Sequence, residues 1–155
     1  MVSKILRLLQ SERPPSTSQR FTRVQVATCA LLLEAAHSDG RYHVTEARLV
    51  HDLLAGMFSL PADAIAELVD LSRDHQQNST DLFQFAREIN AHFSVEEKLA
   101  VMEGIWRIIY ADGTLDKFED ALARQLATLL RLSHREGIAC KMKVLEEGRK
   151  AEAGD

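Results

Sequence analysis

Four carboxylates carry the most chemistry in this sequence. Asp39 and Glu46 lie in "SDGRYHVTEA", and Asp112 and Glu119 lie in "ADGTLDKFEDA"; each time an aspartate precedes a glycine and a glutamate follows seven residues later. Oxygen donors of this kind suit a hard divalent cation: Ca2+, Mg2+ or Mn2+. Each aspartate falls where an apolar helix should stop, and a helix C-terminus already carries partial negative charge. The acid is therefore the wrong sign for its own helix, and an external positive group would explain it. The spacing is not that of an EF-hand, whose loop alternates acidic positions and closes on a glutamate at the twelfth.

The same residues also have a purely local reading. Gly40 and Gly113 supply the left-handed backbone that ends a helix, with Tyr42 and Leu115 as apolar anchors. Asp116-x-x-Glu119 is a capping box and His43-x-x-Glu46 a weaker one, so both glutamates can tie up free backbone donors. An Asx-type bond can hold Asp39 and Asp112, though against the dipole.

Other constellations are thinner. Glu34 and His37 have the i, i+3 spacing of di-iron bundles, but a second pair is required, and 73 residues on the sequence offers Arg107 and Tyr110. His37, Asp39, His43 and Glu46 together form a donor set for Zn2+ or Ni2+. Cys29 and Cys140 are far apart and belong to no C-x-x-C pair, so free thiols in a reducing compartment are expected. No phosphate-binding glycine loop, nucleophile elbow or H-E-x-x-H motif appears, and no catalytic residue is assigned.

The elements that must position these groups are helical. Apolar residues recur at helical spacing over about 2–10, 21–38, 44–58, 61–76, 82–89, 95–111, 116–132 and 134–147, and no stretch alternates with period two. Pro61 suits a first helical turn, Ser79 or Thr80 can cap the helix holding Leu82, Phe83, Phe85, Ala86 and Ile89, and Ser94 with Glu97 forms a capping box. Trp106 and the phenylalanines fall on apolar faces and are expected in the core. The chain also repeats itself. At an offset of 73, Ala27 matches Ala100, Gly40 matches Gly113, Leu49 matches Leu122 and Leu53 matches Leu126, along with the two acid pairs. Two copies of one helical unit, each covering the other's apolar face, follow from this. A two-fold relation between them would bring the acidic corners toward each other.

The paired "A-x-S-D-G-x-Y-x-x-x-E" (36–46) and "A-D-G-x-L-x-x-x-E" (111–119) resemble the TerB family of tellurite-resistance proteins and the related N-terminal domain of DjlA-type co-chaperones, over about residues 20–135. The resemblance implies an all-α fold of two tandem repeats interlocked as small bundles, with about seven or eight helices. It implies a divalent cation at Asp39, Glu46, Asp112 and Glu119, and a non-enzymatic role in bacterial stress response through a protein partner, in some cases at a membrane. No His-Pro-Asp tripeptide occurs, so co-chaperone action does not carry over.

The organisation expected is an N-terminal helix and Pro-rich link over 1–19 and one helical domain over 20–150. That domain divides into repeat one at about 20–77, a linking helix at about 79–92 and repeat two at about 94–148, with 149–155 a frayed tail. The amphipathic segment at 2–10, with Lys4 and Arg7, either docks on the core or engages a partner or membrane surface. A hydrophobic fraction of 46% with 27% charged residues is that of a folded domain, and a net charge of −4 argues against nucleic acid. The N-terminus has no long apolar run, and the stretch at 99–111 is broken by Glu103 and Arg107, so neither secretion nor a membrane span is expected; a cytoplasmic protein is.

Overall fold

Seven consecutive residues, Ala27 to Leu33, are all buried, and Ala35 and Ala36 follow them inside. A helix that is apolar all round has no solvent face and must be enclosed by other helices. In the computed structural model, which describes residues 21–36, 44–78, 82–112 and 117–153, with the backbone alone at 44–46, 75–78, 112, 117 and 152–153, that is what happens. The helix is α1 (Arg23–Ala36). It is followed by α2 (Val44–Phe58), α3 (Ala62–Asn78), α4 (Leu82–His92), α5 (Val95–Ile109), a 3-10 turn at Tyr110–Asp112, α6 (Lys117–Leu129) and α7 (His134–Ala153). No strand occurs among the described residues.

Contacts between elements show the duplication. In the first unit α1 packs on α2 and α3, and α2 packs on α3. In the second, α5 packs on α6 and α7, and α6 packs on α7. Between units α1 meets α5, while α2 meets α5 and α1 meets α6 in a reciprocal exchange, as a two-fold relating the units would give. The start positions agree: Val44 and Lys117 open α2 and α6 at the offset of 73. Gly104 sits where the units meet. A Cβ there would stand 3.4 Å from Leu32 Cδ2 and Leu53 Cδ1 and 3.5 Å from Met57 Cε, which places α5 close against α1 and α2.

The fourth helix breaks the symmetry. α4 buries Phe85, Ala86 and Ile89 and packs chiefly on α1, completing its enclosure. Ala30 is fully buried on α1, whereas its counterpart on α5 is Glu103, whose carboxylate reaches Lys143 of α7 at 2.9 Å. Nearby, Arg107 forks onto Glu147 with contacts of 3.1–3.2 Å. The second unit thus covers its inner helix partly with an ion-paired α7. Polar bonds also tie α4 to its neighbours: Asn90 Nδ2 donates to the Leu129 carbonyl at 2.9 Å, and the buried Lys98 ammonium donates to Asn90 Oδ1 at 3.3 Å.

Helix ends follow local chemistry. Thr22 and Gln25 form a reciprocal cap at α1, Ser94 and Glu97 one at α5, and Ser133 and Glu136 one at α7. The cap at Thr22 starts α1 two residues later than the apolar pattern alone suggests. Ser59 (φ 53°) and Arg131 (φ 59°) turn the chain from second to third helix of their units through left-handed backbone. Arg131 N–H bonds Thr128 O and Leu132 N–H bonds Ala127 O, both at 3.0 Å, which is a Schellman motif with the buried Leu132 as its apolar clasp.

Three expectations are corrected. Residues 149–153 are not a frayed tail: α7 continues to Ala153, because Arg, Lys, Ala and Glu are strong helix formers and Lys150 and Glu146 face each other at i, i+4. Phe83 is not core but 48% exposed, with the Arg87 guanidinium 5.2 Å from its ring centroid. Phe118 is 80% exposed, since α6 turns its inner face at Glu119, Ala123 and Leu126. Trp106 is buried as expected. The expected helix at 2–10, and the caps Ser79 and Thr80, lie outside the described residues.

A non-glycine residue in left-handed backbone costs about 1 kcal/mol or more. Arg131→Gly should therefore raise stability by about 1 kcal/mol and the Tm by a few degrees, whereas Arg131→Val should lower both; a thermal melt followed by circular dichroism reads the difference.

Candidate functional site

The second acidic corner is built by the end of α5. Its last turn tightens into the 3-10 segment Tyr110–Asp112, with Tyr110 N–H bonded back to Trp106 O and the Tyr110 ring stacked on Trp106, centroids 5.9 Å apart. Asp112 ends that segment. After the corner, Glu119 is the third residue of α6, and Glu46 is the third residue of α2. The duplication thus places both glutamates at one helical position, in the first turn of their helices. There the positive N-terminal end of the helix favours a carboxylate.

Glu119 differs from the glutamates that occupy this third position in other helices. Glu97 and Glu136 bond their caps from exposed and half-exposed sites, whereas Glu119 is 6% exposed. A carboxylate that buried must have its charge offset by partners. Asp120 beside it is already committed: its oxygens meet Arg124 at 2.6 Å and Lys141 at 3.4 Å. The side chains of Glu46 and Asp112, and all of Asp39, His37, His43, Gly40, Tyr42, Gly113, Leu115 and Asp116, lie outside the described residues. Among the described residues no group of three or more His, Cys, Asp or Glu side chains could hold a metal ion. The di-iron spacing gains nothing in the second unit, where the counterpart of Glu34 is Arg107, its fork held by Glu147.

A feature that no sequence motif marks lies between α5, α6 and α7. A cavity of about 250 Å3 is lined by Met102 and Trp106 on one side, Ala123 and Ala127 on another, and Gly137 and Ile138 on the third, with Asp120, Arg124, Lys141 and His134 also contributing. Its signal was present in the repeat. Where unit one buries Val50, Leu54 and Val69, unit two has Ala123, Ala127 and Lys141.

The thiols are placed for packing. Burial pushes Cys29 up to about 12, against the smaller opposing pull of the Ser72 hydroxyl and the Arg73 charge. Burial followed by the Glu103 charge pushes Cys140 up to about 11, and its Sγ lies 3.7 Å from Leu99 O. Both stay protonated at neutral pH, which removes them as nucleophiles.

Among the described residues no single helix is long and apolar enough to cross a membrane; α2 and α3 pass the length and composition test only as a pair bent by 111°. The family model described as "Tellurite resistance protein TerB" matches residues 25–142, from α1 into α7. A crystal structure of a protein of unknown function from Porphyromonas gingivalis W83 is similar in fold, with a TM-score of 0.56 at 20% identity, covering 79% of this chain and 97% of that one. No curated protein matches the sequence.

A group whose pKa rises on folding adds stability below its unfolded pKa and loses it as pH climbs toward the folded value. For Cys29 the window runs from 9.0 to about 12. Urea melts should therefore show stability falling with pH above about 9, with a shallower fall in Cys29→Ala, and a thiol reagent at about pH 8 should modify Cys29 only as fast as the protein unfolds.

Proposed function

The chain belongs to the TerB tellurite-resistance family, and from that membership we propose a non-enzymatic module that binds a divalent cation, Ca2+, Mg2+ or Mn2+, at its Asp-Gly…Glu corners. Asp112 and Glu119 supply donors at one corner and Asp39 and Glu46 at the other. The observation carrying this reading is positional: Glu119 and Glu46 each stand third in their helices, seven residues after an aspartate that precedes a glycine. Hard oxygen donors around such a corner favour a hard cation, which offsets the charge that the end of α5 disfavours at Asp112. The module serves a stress or tellurite-resistance response by joining a protein partner when the corner is loaded. Phe118, exposed next to Glu119, gives that partner an apolar contact beside the charged site.

A second reading has its own support. Glu46 and Glu119 stand third in their helices, the position from which Glu97 and Glu136 close capping boxes. On that reading the acids only fasten helix starts, and the module is an interaction scaffold without metal.

The two readings give different melts. With metal bound, saturating Ca2+ or Mn2+ raises the Tm by several degrees, since ligand at 100 times its Kd stabilises by about 2.7 kcal/mol, and Asp39→Asn with Asp112→Asn removes the shift. With caps alone no divalent ion moves the Tm, and Glu119→Ala costs about 0.5–2 kcal/mol whether or not metal is present.

A further inference from the structure

The cavity between α5, α6 and α7 is independent of the acidic corners. Its interior is apolar, with Met102, Trp106, Ala123, Ala127 and Ile138 among its walls. Trp106 is buried and gives its ring to one wall. Cationic groups stand beside that ring. The Lys141 ammonium lies 5.3 Å from the Trp106 ring centroid, and Arg124 lines the same cavity. Two cations face one carboxylate, Asp120, which Arg124 holds at 2.6 Å while Lys141 reaches it only at 3.4 Å. Ser133 and His134, at the positive N-terminal end of α7, complete that side.

We propose that this cavity is a binding site for a small organic anion with one aromatic ring or branched chain, its apolar body among Met102, Trp106, Ala123, Ala127 and Ile138 and its carboxylate taken by the Lys141 ammonium. Size supports one ring and no more, because about 250 Å3 lies just under the range of drug-sized pockets. The duplication supports a selected opening. Unit one folds the same three helices with Val50, Leu54 and Val69 buried at those positions, so the helices have no need of a hollow here. Replacement of Val and Leu by Ala opens the space, and replacement of Val by Lys brings the charge.

Trp106 is the sole tryptophan, so the spectrum contains one indole N–H resonance to report on the site. The probe is 3-phenylpropanoate, titrated into the 15N-labelled full chain, with 3-phenylpropanamide as its neutral counterpart. The site requires a saturable shift of the indole peak with a Kd on the order of 1 mM, the range open to so small a ligand, and binding at least about tenfold weaker for the amide. Ala127→Leu, and Ala123→Val with Ala127→Leu, restore the residues of unit one and should abolish the shift while keeping or raising the Tm. Lys141→Met, which leaves the walls intact, should weaken the carboxylate alone. No saturable shift, an undiminished shift in the filled variants, or equal binding of acid and amide would overturn the proposal.

Discussion

The enclosure of α1 is the constraint on which the rest of the fold depends. Ala27, Cys29, Ala30, Leu31, Leu32 and Leu33 cover the whole circumference of that helix, and Thr28 joins them only because its hydroxyl donates to Val24 O at 2.7 Å. Such a helix is insoluble by itself and has no amphipathic stripe to lay on a single neighbour. Five helices surround it: α2 and α3 from its own unit, α5 and α6 from the other, and α4 between them. The core is therefore shared across the duplication. Removing a buried leucine from α1 would open a cavity bordered by both units, the most costly kind of core change.

Duplication gave two similar units, and the differences between them are where the molecule acquires features. The Ala30 position became Glu103, which trades an apolar face for ion pairs with α7. That change suits α7 to run to Ala153 with its final turns in solvent, linked to α5 by Glu103–Lys143 and Arg107–Glu147. Charges at these half-exposed sites add modestly to stability, so packing under Cys140 and Val144 carries most of the attachment. The positions of Val50, Leu54 and Val69 became Ala123, Ala127 and Lys141, which line the cavity of unit two.

Much of this was legible in the residues themselves. The 73-residue offset matches the starts of α2 and α6, and the helices that flank the two motifs fall where the apolar spacing put them. Ser94 with Glu97 gave a helix start to the residue, since a cap is a short-range interaction written in adjacent positions. Long-range consequences were harder. Ser59 and Arg131 carry no mark of left-handed backbone, because glycine usually fills that place and packing imposes it here. Phe118 and Phe83 share spacing with core residues, yet exposure depends on which helices arrive opposite them. Glu119's burial was equally invisible, since it directly follows the most exposed aromatic among the described residues. The cavity could have been read from the alanines at 123 and 127 by aligning the two units, whereas the unpartnered Trp106 N–H required coordinates.

A domain whose inner helices are completed by each other should not divide. Residues 21–92 and 93–155, produced separately, test that claim by their far-ultraviolet circular dichroism and thermal melts. If α1 needs α5 and α6 as walls, each fragment alone shows weak helicity and no cooperative transition, and mixing the two restores both. A cooperative melt from either fragment as a monomer would show that one unit encloses its own core, and would contradict the account.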